Sequence, residues 1–299
     1  MTATIQIALV SRTIFYAPVW MAEQNGYFRD EGIDPRFDIF DNAEKINEVM
    51  RAGTAQIAIA SVEALVADAF KGGKFRIVAS VAQKPPHFII TQPRFKTVMD
   101  LRGARFGVLS LHEGTTYFVQ DLEKAIGFKR GDIVIEAVGG APTRWKLLRE
   151  GKIDAGLQPF PLSYESDDAG FSNHGPIATY VPDYEFTALF LDPAWGNANR
   201  PAVTGFLRAL RRGQAAMATD TDKAATILVK ELGTTPDYAR RAIGDTLKFK
   251  LMPDGMAASE PGMRRVFTTL QRAGLVSSDQ PFEMGRFVDP SYLAAARQV

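Results

Sequence analysis

Apolar and polar residues alternate along the first 80 residues with two different periods. Short apolar or alternating runs typical of strands occur at residues 4–10, 35–40, 56–60 and 76–81. The segments between them have the spacing of amphipathic helices, at residues 17–25, 43–52 and about 62–71. Glycines that commonly end helices follow at Gly26, Gly53 and Gly72. Strands and helices that alternate over such short connections predict βαβ crossovers and a mainly parallel sheet.

The segment Lys84-Pro85-Pro86 interrupts this series, and a second α/β series follows it. Its predicted strands are residues 88–91, 105–109, 133–138 and 154–157, and its predicted helices are residues 115–126 and 142–149. Residues 167–176 predict an irregular stretch before a β-rich segment at 185–191. From residue 201 the pattern is helical, with helices at 201–218, 222–232, 236–246 and 260–273 and a last short one from 290.

This order of elements indicates one α/β lobe interrupted by another. We expect residues 1–86 and 184–299 to form a discontinuous first lobe, and residues 87–183 to form the inserted second lobe. The chain would cross between the lobes near 84–88 and near 181–185, and the two crossings would act as a hinge. Ligands of open α/β sheets bind beyond the carboxyl ends of the strands, so the cleft between the lobes is the expected site.

Composition narrows the chemistry that this cleft can use. The 299 residues, about twice the usual length of one domain, include 35 Lys and Arg against 34 Asp and Glu. A net charge of +1 gives no overall field for nucleic acid, so none is expected as a partner. The absence of cysteine excludes disulfides, thiolate metal sites and cysteine nucleophiles. Three scattered histidines predict no metal centre, and we expect no cofactor. The apolar runs are far shorter than the roughly 20 residues that span a bilayer, so membrane insertion is not expected.

The run from Tyr16 to Ile33, YAPVWMAEQNGYFRDEGI, resembles the N-terminal signature of the nitrate/sulfonate/taurine and thiamine-pyrimidine type solute-binding proteins, which are components of ABC transporters. Further similar segments are AGTAQIAI at 52–59, DLRG at 100–103 with RFGV at 105–108, EGKIDA at 150–155 and FVDPSYL at 287–293. The resemblance implies an α/β, two-lobed type II periplasmic-binding fold with mixed, mainly parallel sheets and a helical C-terminal segment. Such a fold closes on its ligand by hinge motion.

Candidate ligand contacts of the first lobe follow its strands. Arg12, Phe15 and Tyr16 lie in the loop after the first strand, where an arginine can clamp an anion and aromatic rings can stack on a flat ligand. Asp41 ends the second strand and Ser61 the third, and both could equally be helix caps.

The second lobe offers a loop-to-helix junction with both signs of charge. In the family that the chain resembles, this junction often contacts ligand; its candidate residues here are Ser110, Glu113, Thr115 and Thr116. A helix N-terminus suits an anionic group, whereas Glu113 favours a cationic or N–H-donating group, so the charge of the ligand stays open.

Three more candidates lie at or near the crossings. His87 follows two prolines at the first crossing, Gln158 follows a short strand, and Tyr184 lies at the second crossing. The alternative for His87 is a packed hinge histidine.

These features predict a monomeric small-molecule binding protein, the capture component of an ABC importer with a permease as its partner. The ligand is expected to be a small organic molecule that is flat or aromatic/anionic, with its charge left open. The rival interpretation is an enzyme on the same fold, for example a decarboxylase using His87 or Glu113 on a small aromatic or heterocyclic acid. A ligand sensor would differ from both only in its partners.

The start of the chain bears on its location. The first strand follows Met-Thr-Ala-Thr directly, without the pattern of a secretory leader. A periplasmic location is expected if a leader was removed, and a cytoplasmic one if Met1 is the native start.

Overall fold

The computed structural model describes residues 2–40 and 43–297 of the chain, without the side chain of Ala43. Its first series of elements consists of β1 (Ala3–Leu9), α1 (Ala17–Gln24), α2 (Tyr27–Asp30), β2 (Ile33–Ile39), α3 (Ala43–Ala52), β3 (Ile57–Ser61), α4 (Glu63–Ala69) and β4 (Arg76–Ala82). The second series consists of β5 (His87–Thr91), β6 (Arg105–Val108), α5 (Gly114–Ala125), β7 (Val134–Ala137), α6 (Ala141–Arg149), β8 (Ala155–Pro159), α7 (Leu162–Asp168) and β9 (Ser172–Pro176).

A single strand and a helical segment complete the chain. They are β10 (Thr187–Leu191), α8 (Pro193–Ala198), α9 (Arg200–Thr219), α10 (Thr221–Leu232), α11 (Pro236–Lys248), α12 (Glu260–Arg272) and α13 (Ser291–Ala296). The described residues thus form the α/β elements and the helical C-terminal segment that the sequence predicts. The prediction of an irregular stretch at 167–176 is wrong, because α7 extends into it and β9 closes it.

The strands form two five-stranded mixed sheets within the described part of the chain. The first sheet has the order β2-β1-β3-β10-β4 and the second the order β7-β6-β8-β5-β9. Each sheet contains two parallel and two antiparallel pairings among these strands. The predicted α/β class with mixed sheets is confirmed. Parallel pairing accounts for half of the pairings because β10 and β5 run against their neighbours.

Ser61 illustrates how strand and helix meet in the first sheet. It is the last residue of β3, and Val62 is the residue that precedes α4. No side chain caps α4 among the described residues, so the alternative that Ser61 is only a helix cap is wrong. Its position at the carboxyl end of β3 instead turns it towards the space between the two sheets. Asp41, the other candidate cap, lies outside the described residues.

Helices α1 and α9 pack in close contact over the first sheet. A Cβ atom built on Gly213 of α9 would lie 2.2 Å from the backbone oxygen of Pro18 in α1 and 3.0 Å from the nitrogen of Ala22. Only glycine permits two backbones to come this near, since any side chain would overlap a main-chain atom. The contact holds α1, and therefore the loop that leads into it, against the C-terminal helical segment.

Glu185 is a buried carboxyl group two residues before the start of β10. The hydroxyl of Ser80 on β4 donates to its Oε1, and the backbone N–H of Ser259, the residue before α12, donates to Oε2 at 2.8 Å. Burial raises the pKa of Glu185 to about 8. The side chain therefore ties β4 to the start of α12 in its protonated form at neutral pH.

The raised pKa of Glu185 predicts a pH-dependent stability. A carboxyl whose pKa is higher in the folded than in the unfolded chain stabilises the fold fully below the unfolded value near 4.3. That contribution is lost as pH rises through about 8, at up to about 1.4 kcal/mol per pH unit. Denaturant unfolding of wild type and Glu185→Gln between pH 5 and 9 measures it, and the variant should show the shallower slope. The exposed Glu283→Gln change, which touches neither Ser80 nor Ser259, is the matched control. Equal slopes for wild type and Glu185→Gln would contradict this account.

Candidate functional site

A cavity of about 30 Å³ lies between the two sheets. The first sheet and its connections contribute residues that follow β1, end β3 and lead into β10: Val10, Ser11, Thr13, Phe15, Tyr16, Ser61, Phe186 and Thr187. The second contributes the start of β5 and the N-termini of α5 and α6: His87, Leu109, Glu113, Thr115, Gly140, Ala141 and Arg144. Since a water molecule needs roughly 10–15 Å³, the cavity has room for about two.

An aromatic wall forms one side of the cavity. The rings of Phe15 and Phe186 meet edge to face with centroids 5.5 Å apart, and His87 meets Phe186 edge to face at 5.1 Å. Burial lowers the pKa of His87 well below its usual value, and the nearby Arg144 lowers it further. Its Nδ1 has no hydrogen-bond partner among the described residues. The imidazole is therefore neutral and presents an unused ring nitrogen beside the cavity.

The loop before Phe15 is held by the hydroxyl of Tyr16. This hydroxyl donates to the backbone oxygen of Ile59 at 3.2 Å and accepts from the N–H of Val10 at 3.4 Å. These bonds link the end of β1 to β3. Thr13 lies in the same loop, and its buried hydroxyl has no partner in the described part of the chain. Tyr16 thus fixes the cavity wall through its hydrogen bonds. The hydroxyl of Thr13 adds to the cavity lining a polar group that has no partner among the described residues.

The N-terminus of α5 is a hydrogen-bonded junction. Glu113 accepts from the backbone N–H of Thr115 at 2.9 Å and from its hydroxyl, and Thr115 Oγ1 accepts from the N–H of Leu109 at 3.0 Å. The hydroxyl of Thr116 donates to the backbone oxygen of Ser110 at 2.7 Å. Burial raises the pKa of Glu113, although its bonds to Thr115 oppose the shift. Glu113 and Thr115 line the cavity, while Ser110 and Thr116 fix the loop beside it.

Arg144 of α6 brings a buried cation to the cavity. Its Nε and Nη2 donate to the backbone oxygen of Leu157 at 3.2 and 2.8 Å, and its Nη1 donates to that of Gly139 at 3.0 Å. Only 2% of the residue is exposed. These bonds orient the guanidinium at the N-terminal end of α6, next to Gly140 and Ala141. An arginine and two helix N-termini that face one cavity favour a negatively charged group there.

Three predicted residues point elsewhere. Arg12 pairs with Glu231 of α10, and its guanidinium lies 4.5 Å from the centre of the Trp20 ring. The buried amide of Gln158 donates to the backbone oxygen of Ala141 at 3.1 Å and accepts from the N–H of Trp145 at 3.3 Å, in the orientation that satisfies both ends. Tyr184 donates its hydroxyl to Glu63 Oε1 at 2.8 Å. Gln158 and Tyr184 therefore support the residues around the cavity without lining it.

Two of the residues absent from the prediction, Glu63 and Arg144, are charged and lie on helices. Glu63 is fully buried in the first turn of α4. Burial raises its pKa to about 8, and the neighbouring Glu113 adds to the shift. In sequence both resemble exposed helix residues. The position of Arg144 in the sequence could have indicated its role. It lies one turn into a helix, and Gly139-Gly140 connect that helix to the end of the preceding strand.

Polar contacts join helices of the second series to the C-terminal helical segment. Asp121 of α5 accepts from Arg265 at 2.7 Å and from Arg272 at 2.9 Å, both on α12. The hydroxyl of Tyr164 on α7 donates to Asp245 of α11 at 2.6 Å. These contacts fix the second sheet's helices relative to the C-terminal helices.

Two features are absent from the described residues. No group of three or more histidine and carboxylate side chains is arranged there to hold a metal ion. Within the same residues, none of the helices has the length and apolar character required to cross a membrane.

Comparison with known proteins defines the family. Residues 14–224 match the family model described as NMT1/THI5 like. The chain belongs to the NMT1/THI5-like family. A curated relative, the formylaminopyrimidine-binding protein of Halalkalibacterium halodurans, is 21% identical over 224 residues, which cover 71% of this chain and 65% of the relative. The chain therefore spans somewhat less than two thirds of that relative's length.

Solved structures show the fold that the family shares. The ligand-binding component of an ABC-type import system from Staphylococcus aureus has a TM-score of 0.80 and 14% identity, with all of both chains covered. The alkanesulfonate-binding protein of Xanthomonas axonopodis pv. citri has a TM-score of 0.73 and 16% identity, with 98% of this chain and 97% of that chain covered. The predicted family and the two-lobed periplasmic-binding fold are confirmed.

Proposed function

We propose that this chain is the solute-binding component of an ABC-type importer and holds a small flat ligand in the cavity between its lobes. The observation that carries the proposal is the cavity itself, which neither sheet encloses alone. Its lining comes from the strand ends of both, and closure would bury a ligand on all sides. A permease is the partner that this function requires.

The division into lobes belongs to the same proposal. The first lobe comprises residues 1–86 and 184–299, and the second comprises residues 87–183. The sheet order supports this division, because β10 pairs with β3 and β4 after the chain has completed the second sheet. The two crossings near 84–88 and 181–185 then provide the hinge.

The lining supports a ligand that is flat and carries an anionic group. Phe15, Phe186 and neutral His87 offer ring faces and edges, while Arg144 and the N-termini of α5 and α6 attract negative charge. We propose ligand contacts by the predicted residues that reach the cavity, together with Arg144: Phe15, Tyr16, Ser61, His87, Glu113 and Thr115. Arg12, Ser110, Thr116, Gln158 and Tyr184 would act outside this contact set. Asp41 lies outside the described residues and stays a prediction.

The relatives point in the same direction. One is described as binding a formylaminopyrimidine, a flat heterocycle, and another as binding an alkanesulfonate, an anion. The protein from Staphylococcus aureus is described as part of an ABC-type import system, and one from Synechocystis as a periplasmic nitrate-binding protein. These descriptions favour a transport role here and, with it, a periplasmic location.

A ligand screen tests the proposal. We expect at least one compound among aromatic acids, sulfonates and aminopyrimidines to raise the melting temperature and to bind in calorimetry without being converted. Phe15→Ala should weaken that binding on the order of tenfold, because one face of the cavity is lost. Phe249→Ala, a change at an exposed ring outside the cavity lining, is the matched control. Unchanged affinity in Phe15→Ala would contradict the site. Product formation that is lost in His87→Gln or Glu113→Gln would favour an enzyme.

A further inference from the structure

Glu63 joins the first lobe to the second without lining the cavity. It opens α4 of the first lobe, and its carboxyl group rests on the first turn of α5 in the second lobe. A Cβ atom built on Gly114, the first residue of α5, would lie only 2.8 Å from Glu63 Oε1. Tyr184 donates to the same oxygen at 2.8 Å. The other oxygen, Oε2, is buried and has no hydrogen-bond partner among the described residues.

Glu63 and the N-terminus of α5 belong to different lobes of the proposed hinge, so opening of the cleft would break this contact. Glu63 is completely buried although it stands in the first turn of a helix, and the groove outside it, about 340 Å³ in volume, is bounded by residues of both lobes. Separation of α4 from the N-terminus of α5 would expose the carboxyl group to water. The environment of Glu63 therefore depends on the hinge angle.

Burial and Glu113 favour the uncharged form of Glu63, whereas the hydrogen bonds from Tyr184 and Ser61 favour the ionised form. Glu113 and the buried hydroxyl of Tyr117 face it from the α5 side, and Tyr184 faces it from the crossing. The remaining charged or titratable residues of the groove are Glu44, Arg51, Asp68, Lys71 and His112. Arg51 pairs with Asp68 at 2.8 Å. Burial together with the neighbouring carboxyl group of Glu113 raises the pKa of Glu63 to about 8.

We propose that closure of the cleft takes up a proton at Glu63, so that ligand capture by this protein is coupled to pH. The coupling rests on the proposed hinge closure but not on the identity of the ligand. In the open state the carboxyl group is hydrated and ionises near 4.3, the ordinary value for glutamate. In the closed state it keeps its proton to about pH 8.

The direction of the effect follows from linkage. The closed state binds more protons than the open state between the two pKa values, so acid favours closure. The ratio of closed to open molecules should fall by up to about tenfold for each pH unit in that window. Above the closed-state value, Glu63 ionises in both states and the ratio should no longer change.

Förster transfer between two dyes measures this ratio in the protein alone. Ala52→Cys at the exposed end of α3 and Ala125→Cys at the exposed end of α5 place one dye on each lobe. The chain has no cysteine of its own, so no other thiol reacts. Single-molecule histograms recorded from pH 5 to pH 9 should show the closed population decreasing as pH rises.

Two variants make the result specific for Glu63. Glu63→Gln resembles the protonated form and should show a weaker pH dependence than wild type, with only the contributions of the buried Glu113 and His87 left. Tyr184→Phe removes a donor that favours the ionised form, so it should move the midpoint to higher pH, an effect that a purely structural contact would not produce. A ratio independent of pH in wild type, or a Glu63→Gln variant that responds as wild type does, overturns the proton coupling while leaving the binding function intact. One narrow, unchanging distance in all variants would instead contradict the hinge closure on which the proposed function rests.

Discussion

Gly213→Ala is expected to destabilise the protein by about 3 kcal/mol, a typical upper value for overpacking. The added methyl carbon would stand 2.2 Å from the backbone oxygen of Pro18, and neither backbone can give way locally. Helices α1 and α9 would have to separate, which opens the core that both cover. Because the loop with Thr13 and Phe15 leads directly into α1, the cavity wall should loosen as well.

Gly244→Ala is the matched control for this prediction. Gly244 is also a glycine within a helix, α11, but it is exposed and a Cβ atom there meets no atom within 4 Å. Alanine should raise the free energy of unfolding by about 0.5–1 kcal/mol at that position, since it restricts the unfolded chain and favours helix. Equilibrium denaturation with urea measures both changes. A Gly213→Ala variant as stable as wild type would show that the two helices are not in tight contact.

Arg144→Met should weaken binding of an anionic ligand by about 30-fold or more, since a buried charge that pairs with a ligand contributes about 2–5 kcal/mol. The change should also lower stability by about 1–3 kcal/mol, because the buried oxygens of Leu157 and Gly139 lose their donor. Calorimetric titration with a ligand from the screen measures the first effect, and thermal unfolding the second.

Arg144→Lys separates charge from geometry at the same position. Lysine keeps the positive charge but not the planar fork that bonds Leu157 and Gly139, so binding should be intermediate between wild type and Arg144→Met. Arg240→Met removes an exposed arginine of α11 and controls for net charge. If Arg144→Met binds as tightly as wild type while folded, the anionic end of the ligand lies elsewhere in the cavity.

Local patterns predict most of the fold, because the residues within each helix or strand decide whether that element forms. The helix that follows Tyr16, closed by Gly26, is an example: it ends at Gln24, and Gly26 has a φ of 75°, which suits glycine. Strand β9 is different. Its residues Ser172–Pro176 have neither apolar character nor alternation, and they become a strand because β5 offers a free edge. The direction of β10 likewise follows from tertiary pairing, which no local period encodes.

The candidate site likewise contains residues that local patterns predict and residues that depend on tertiary packing. The junction before α5 is recognisable because small polar residues and Glu113 stand at a helix start, and the structure brings Glu113 and Thr115 to the cavity. Arg12 has the same appearance as a ligand clamp, but its partner Glu231 is 219 residues away. Glu63 and Arg144 could not be distinguished in sequence from solvated helix residues. Arg144 is buried by its packing against Leu157 and Gly139, and Glu63 by Tyr184 and Gly114, and no local pattern encodes these tertiary contacts.

The position of β10 also sets an order of assembly during synthesis. This strand is an interior member of the first sheet, between β3 and β4, yet it follows every strand of the second sheet along the chain. Residues 87–176 therefore leave the ribosome and can complete their sheet while the first sheet still lacks the strand between β3 and β4. During translation the second sheet would be complete before the first, and the first would be completed only when residues 187–191 emerge.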